Sequence, residues 1–326
     1  MDIREVNSFL QEDLKRVEAL IDASLASDVA LLDSVNRKLR EHPGKMLRPM
    51  LALLVGGALG KVNESTLRYA AAAELLHNAT LLHDDVVDGA TQRRGMPTVA
   101  QLLNSSAAVL IGDFWLVRCL DMVLKAQVEP HRVLGLFSDT LSHLTEGELL
   151  QMEAAGSGST TQADYLRIIY GKTASLFVTA ASAAAISVQA PEPMIARAVR
   201  FAQKLGTAFQ IKDDILDYNE DAAALGKPVG VDLREQKITQ PLLCALEKVS
   251  KAEADDIRSL VSQIADKPQL EARVRAFVKE QDGVALAQKV MDRTIDEALQ
   301  CLEFFPETPQ KHYLEAIARY VGDRTL

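Results

Sequence analysis

Apolar residues recur at helical spacing along almost the whole chain, while strand-like alternation is nearly absent. Short punctuation separates the periodic stretches: His42-Pro43-Gly44, then residues 156–161, 189–193, 226–230, 266–268 and 305–309. The pattern predicts an all-α fold. Thr161 and Asp164 have the spacing of a capping box that opens a helix over 165–170. With no shift in composition and no short-period repeat, one helical domain over residues 1–326 is expected. Residues 173–191 carry no charge and are long enough to cross a bilayer, but are mostly Ala, Ser and Thr. Small residues on every side suit a helix packed closely inside a protein, so an integral membrane protein is not expected.

Composition narrows the field. At 326 residues, with 48% hydrophobic and 25% charged, the chain has the balance of a globular protein with a sizeable core. Its net charge of -9 argues against nucleic acid as a partner, since a phosphate backbone needs a basic face. Cys119, Cys244 and Cys301 are far apart with no CxxC, so neither a disulfide framework nor a zinc site is indicated, and a reducing cytoplasm fits best. Residues 1–16 are charged and amphipathic, unlike a secretory signal.

The candidate chemistry centres on residues 74–95, a helical stretch that ends in Asp84, Asp85 and Asp88. Asp84 and Asp88 are four apart and share a helix face, where like charges repel unless a cation lies among them. Hard carboxylate oxygens suit Mg²⁺, which usually binds one or two carboxylates together with substrate phosphates. Arg93 and Arg94 follow, placed to hold the outer oxygens of a polyanion. Asp255-Asp256 lacks both the third Asp and the Arg pair, and reads as a solvated helix. A second copy of the acidic pattern, Asp213, Asp214 and Asp217, points to one shared polyanion, and Gln210 falls on the face of Asp213 and Asp217. Lys45 and Arg48 lie beside a Pro-Gly turn, and His77 stands two helical turns before Asp84, with His83 pointing elsewhere. Lys172, ahead of the uncharged run, must find an anion or water, while Lys227 and Lys237 sit on or near a Gly-containing loop suited to closing over a diphosphate.

Two DDxxD segments about 130 residues apart, the first followed by Arg-Arg-Gly and the second preceded by Phe-Gln, resemble the trans-isoprenyl diphosphate synthases. The bacterial long-chain, octaprenyl-type enzymes are the closest match. The resemblance implies a helical bundle of the isoprenoid synthase type around a central cavity. It makes Lys45, Arg48, His77 and Arg94 ligands of isopentenyl diphosphate, and Arg93, Lys172, Thr173, Gln210, Lys227 and Lys237 ligands of the allylic diphosphate, farnesyl diphosphate being the expected primer. The six aspartates would hold Mg²⁺. The chain departs from the family pattern at Pro43, Met46 and Gln236, where Gly, Arg and Gly are usual. Ala79 and Thr80 stand where short-chain synthases carry aromatics, which implies a long product. A homodimer is the family expectation. Two rival readings are a terpene cyclase and a non-catalytic partner subunit of a synthase; the second complete DDxxD and the isopentenyl-binding set stand against the first, and the six retained aspartates against the second.

Overall fold

A computed structural model describes residues 3–40, 44–93, 95–219 and 229–324. These residues are helical nearly throughout, as the periodicity predicts, apart from one small antiparallel hairpin of Gln92–Arg93 with Met96–Pro97. The chain divides into two compact units. The first comprises Met1–Ser138, Thr179–Val199 and Phe304–Leu314, and the second Asp139–Val178, Arg200–Glu303 and Glu315–Leu326.

The first unit is built on helix α5 (Glu64–Val87), against which α2 (Gln11–Leu25), α4 (Leu47–Leu59) and α7 (Ser105–Leu124) pack. Asn63 opens α5 with a capping box: its side chain accepts from the Thr66 N–H, and the Thr66 hydroxyl accepts from the Asn63 N–H. The four successive residues Ala70 to Ala73 are all fully buried. Small side chains let neighbouring helices approach α5 closely on several sides, which is why so apolar a helix has no polar face. The indole of Trp115 donates to Asn36 (2.9 Å), whose amide donates to the Leu25 carbonyl (2.8 Å). This buried polar pair ties α7 and α3 (Ala30–Arg40) to the end of α2 with its hydrogen bonds satisfied.

In the second unit, α9 (Gln162–Ile169) starts at the Thr161–Asp164 capping box and passes into a π-helical turn, Tyr170–Ala174, before α10 (Ser175–Ser187). The stretch Gln162–Ser187 is long and apolar enough to cross a membrane by composition, and most of it is buried in the protein. Two glycines seat the π turn. A Cβ on Gly171 would lie 2.5 Å from the His143 carbonyl of α8 (Pro130–Ser157), and one on Gly206 of α11 (Glu192–Asp217) would lie 2.6 Å from the Ala174 Cα. Only hydrogen fits at these contacts, so the turn sits backbone to backbone between α8 and α11. The turn carries Lys172 and Thr173.

Candidate active site

The first acidic set forms the C-terminus of α5. Asp88 is the C-cap, with its N–H on the Asp84 carbonyl (2.8 Å). Gly89, at φ 61°, then turns the chain so that the Ala90 N–H reaches the Asp85 carbonyl (3.0 Å), a Schellman closure. The helical spacing of Asp84 and Asp88 is thus kept to the last turn. The three carboxylates differ in role. Asp85 is buried and takes Arg93 Nε at 2.6 Å, whereas Asp84 is half-buried and Asp88 is exposed. The hairpin brings Arg93 back over the helix end. In the same unit His77 is half-buried and Ala79 buried; the Thr80 hydroxyl donates to the His77 carbonyl (2.9 Å). His83 lies 3.3 Å from Asp113 and packs on Gly112 of α7. Lys45 is exposed and Arg48 half-buried at the start of α4, where helix N–H groups favour an anion. Met46 adopts the left-handed conformation (φ 51°) with its side chain buried, so this departure from the family pattern anchors the helix start. Arg94, Lys227 and Pro43 lie outside the described residues.

The second acidic set lies near the C-terminus of α11, within the second unit. Asp214 is almost fully buried; it accepts from the Tyr165 hydroxyl (2.6 Å) on one oxygen and from the Gln210 amide (2.9 Å) on the other. Burial pushes its carboxyl up to about 6, although both hydrogen bonds favour the ionised form. The Gln210 carbonyl in turn accepts from the Thr173 hydroxyl (2.8 Å), which fixes the amide orientation. Within the second acidic set, Gln210 thus binds Asp214, one turn on. Asp217 accepts from the Val231 and Asp232 N–H groups (3.0 and 3.1 Å) and thereby caps the short helix Val231–Arg234, while burial holds its carboxyl above the ordinary range. Asp213 keeps 43% of its side chain exposed.

Lys172 finds its anion in Glu148 (2.5 Å), which also accepts from Gln151 (3.2 Å). Lys172, Lys237, Gln210 and Asp214 line one polar recess of about 150 Å³ together with Gln151, Tyr165 and Asp232. Lys237 also pairs with Glu235. Gln236 takes the left-handed conformation (φ 59°) that the family's Gly would supply, and its amide donates to the Ser262 carbonyl (2.7 Å), which offsets the backbone strain.

Three participants were missed or not placed by the sequence reading. Tyr165 is the hydroxyl donor to Asp214. Asp232 adds a second carboxylate, beside Asp214, to this unit's recess; burial and the neighbouring charges of Asp214 and Asp217 push its pKa well up. Arg324, just beyond the last helix (Pro309–Asp323), reaches Asp213 at 2.8 Å. A buried Tyr one residue past a capping box and a lone Asp behind a Gly-Val pair are weak signals, and neither stands out without the fold.

Among the described residues, no three His, Cys, Asp or Glu side chains converge tightly enough to hold a metal by themselves. That donor set fits Mg²⁺ held by one or two carboxylates plus phosphate oxygens. Asp85, Asp214 and Asp217 accept hydrogen bonds from protein donors, Asp213 pairs with Arg324, and Asp84, Asp88 and Asp213 each keep part of their surface exposed.

A helical fold with two acidic helix ends, each flanked by cations, is the arrangement of a prenyltransferase. The family model described as Polyprenyl synthetase matches residues 29–280, and the chain belongs to that family. Among curated relatives it is 38% identical over 317 residues to an all-trans-nonaprenyl-diphosphate synthase (geranyl-diphosphate specific) of Rhodobacter capsulatus, covering 96% of this chain and 95% of that one. It is 35% identical over 324 residues to an octaprenyl diphosphate synthase of Haemophilus influenzae, covering 99% and 98%. Among solved structures, a polyprenyl synthase from Caulobacter crescentus, complexed with calcium and isoprenyl diphosphate, matches with a TM-score of 0.90 at 30% identity, covering 100% of this chain and 98% of that one. The chain is an enzyme of the polyprenyl diphosphate synthase type.

Proposed function

We propose that the enzyme lengthens an allylic diphosphate, farnesyl diphosphate being the favoured primer, by repeated head-to-tail addition of isopentenyl diphosphate, giving a long all-trans polyprenyl diphosphate and pyrophosphate. The observation that carries this reading is that each acidic helix end combines a buried carboxylate fixed by protein donors, Asp85 or Asp214, with carboxylates that keep exposed surface, Asp84 and Asp88 or Asp213. Asp84, Asp88 and Asp213 are the ligands that would hold Mg²⁺, supported by Asp85, Asp214 and Asp217. When bound, Mg²⁺ supplies positive charge against the pyrophosphate leaving group.

The protein's own part is positional and electrostatic. Arg93, Lys172, Lys227 and Lys237 neutralise charge that grows on the leaving oxygens. Thr173 and Gln210 present oxygen dipoles to the allylic carbon as it becomes cationic. Lys45, Arg48, His77 and Arg94 hold isopentenyl diphosphate so that its double bond faces that carbon. The chemistry needs no protein nucleophile. Ala79 and Thr80 leave the growing chain room along α5. A single domain acting in the cytoplasm is the organisation we adopt.

One surface feature supports a homodimer. Leu110, Val117 and Leu124 of α7 are 68%, 53% and 48% exposed and recur every seven residues, a narrow apolar stripe of the kind that pairs with another helix.

Incubation with an allylic diphosphate, Mg²⁺ and labelled isopentenyl diphosphate tests the chemistry. Incorporation that is lost in Asp84→Ala and Asp213→Ala is expected. Conversion of the allylic diphosphate without isopentenyl diphosphate would instead identify a cyclase, and inactivity of the folded chain alone, relieved by a homologous chain, a partner subunit.

A further inference from the structure

Arg324 is a buried cation with no part in the reading above. Its side chain is only 7% exposed, and its guanidinium stacks 4.0 Å over the Phe209 ring. One terminal nitrogen, Nη2, donates both to the Phe209 carbonyl (2.7 Å) and to Asp213 Oδ1 (2.8 Å), bridging two positions one turn apart on α11. Nε is buried without a hydrogen-bond partner among the described residues. Apolar packing would anchor this segment at lower desolvation cost than a guanidinium. What the guanidinium adds is a fixed positive charge against the most solvent-exposed carboxylate of the second acidic set.

We propose that Arg324 is the resident counter-cation of Asp213, a positioning residue that makes divalent metal loading at this carboxylate depend on the arrival of a diphosphate. A metal ion alone meets a carboxylate whose charge is already compensated, and is repelled by the guanidinium. A metal ion carried by a diphosphate brings negative charge that the guanidinium attracts, so the same residue favours the loaded state. Arg324 thus discourages metal without substrate and rewards metal with substrate. The inference rests on Asp213 being a metal ligand.

The test uses the full-length enzyme and Mn²⁺, with bound metal read by electron paramagnetic resonance, with and without inorganic pyrophosphate. Arg324→Met removes the charge but keeps contact with Phe209, and Arg324→Lys keeps the charge but loses the fork; circular dichroism checks the fold of each. Without pyrophosphate, Arg324→Met should bind Mn²⁺ several-fold more tightly than the unmodified enzyme, and Arg324→Lys should bind as weakly as the unmodified enzyme. The tightening by pyrophosphate should shrink by more than that factor in Arg324→Met, since the favourable contact with the diphosphate is lost as well. Unchanged Mn²⁺ affinity in Arg324→Met, with only a lower melting temperature, would reduce Arg324 to a structural anchor and overturn the inference. Asp213→Asn separates the two levels: if it leaves Mn²⁺ binding with pyrophosphate intact, the assignment of Asp213 as a ligand fails, and the inference with it.

Discussion

Tyr165→Phe removes one hydroxyl and leaves the ring. In the folded protein that hydroxyl donates at 2.6 Å to a carboxylate, Asp214, which like Tyr165 itself is almost completely buried. The tyrosine's own pKa is raised well above its ordinary value, so it remains a neutral donor throughout the working pH range. A hydrogen bond to a charged group contributes about 1.5–3 kcal/mol. At 1.36 kcal/mol per pH unit, its loss raises the Asp214 pKa by roughly one to two units. Burial already holds Asp214 at about 6, and the variant moves it further up. The sign follows from which form the bond favours. Because it stabilises the ionised carboxylate, the loss of folding stability is full above the folded pKa and fades as pH falls below it, where Asp214 is protonated in both proteins. Urea unfolding of the metal-free protein at pH about 8.5 should show a loss of about 1.5–3 kcal/mol, and at pH about 5 a much smaller one. In turnover, the acid limb of the rate profile should move upward by the same one to two units or so. An equal stability loss at both pH values, with an unmoved acid limb, would refute the claim that Tyr165 holds an ionised Asp214.

Other perturbations address separate parts of the account. Gly171→Ala places a methyl 2.5 Å from the His143 carbonyl and 3.1 Å from the Gly147 Cα. It should cost about 1–3 kcal/mol in thermal or denaturant unfolding and raise KM for the allylic substrate more than for isopentenyl diphosphate, because it displaces the turn bearing Lys172. Ala79→Phe should shorten the product resolved by chromatography, and an unchanged chain length would remove Ala79 from the path of the growing chain. Leu110→Glu puts a charge on the exposed stripe of α7 and should lower the sedimentation coefficient towards that of a monomer; an unaltered oligomer would move the interface elsewhere.

Local features were legible in the sequence, and those that depend on distant parts of the chain were not. The spacing of Asp84 and Asp88 and the Thr161–Asp164 box need only residues three or four apart, which a helix fixes by itself. The uncharged run read correctly as buried because small side chains exclude a solvated face. The π turn at Tyr170–Ala174 escaped because its cause is tertiary: it depends on how closely Gly171 meets α8 and Gly206 meets the turn. Which aspartate Gln210 binds was not legible for a similar reason, since the Thr173 hydroxyl 37 residues away fixes its amide. Arg324 lies 111 positions from Asp213, too far for spacing to pair them. The strands of the hairpin are two residues long, below the length at which alternation can be seen.

The central claim is that two acidic sets, with their flanking cations, carry out repeated isopentenyl addition. It is tested most directly by resolving the products of a reaction containing purified enzyme, Mg²⁺, farnesyl diphosphate and labelled isopentenyl diphosphate. The account predicts a discrete long polyprenyl diphosphate that disappears in both Asp84→Ala and Asp213→Ala. Addition of a single unit would contradict the argument from Ala79 and Thr80, and no incorporation by folded enzyme would contradict the claim itself.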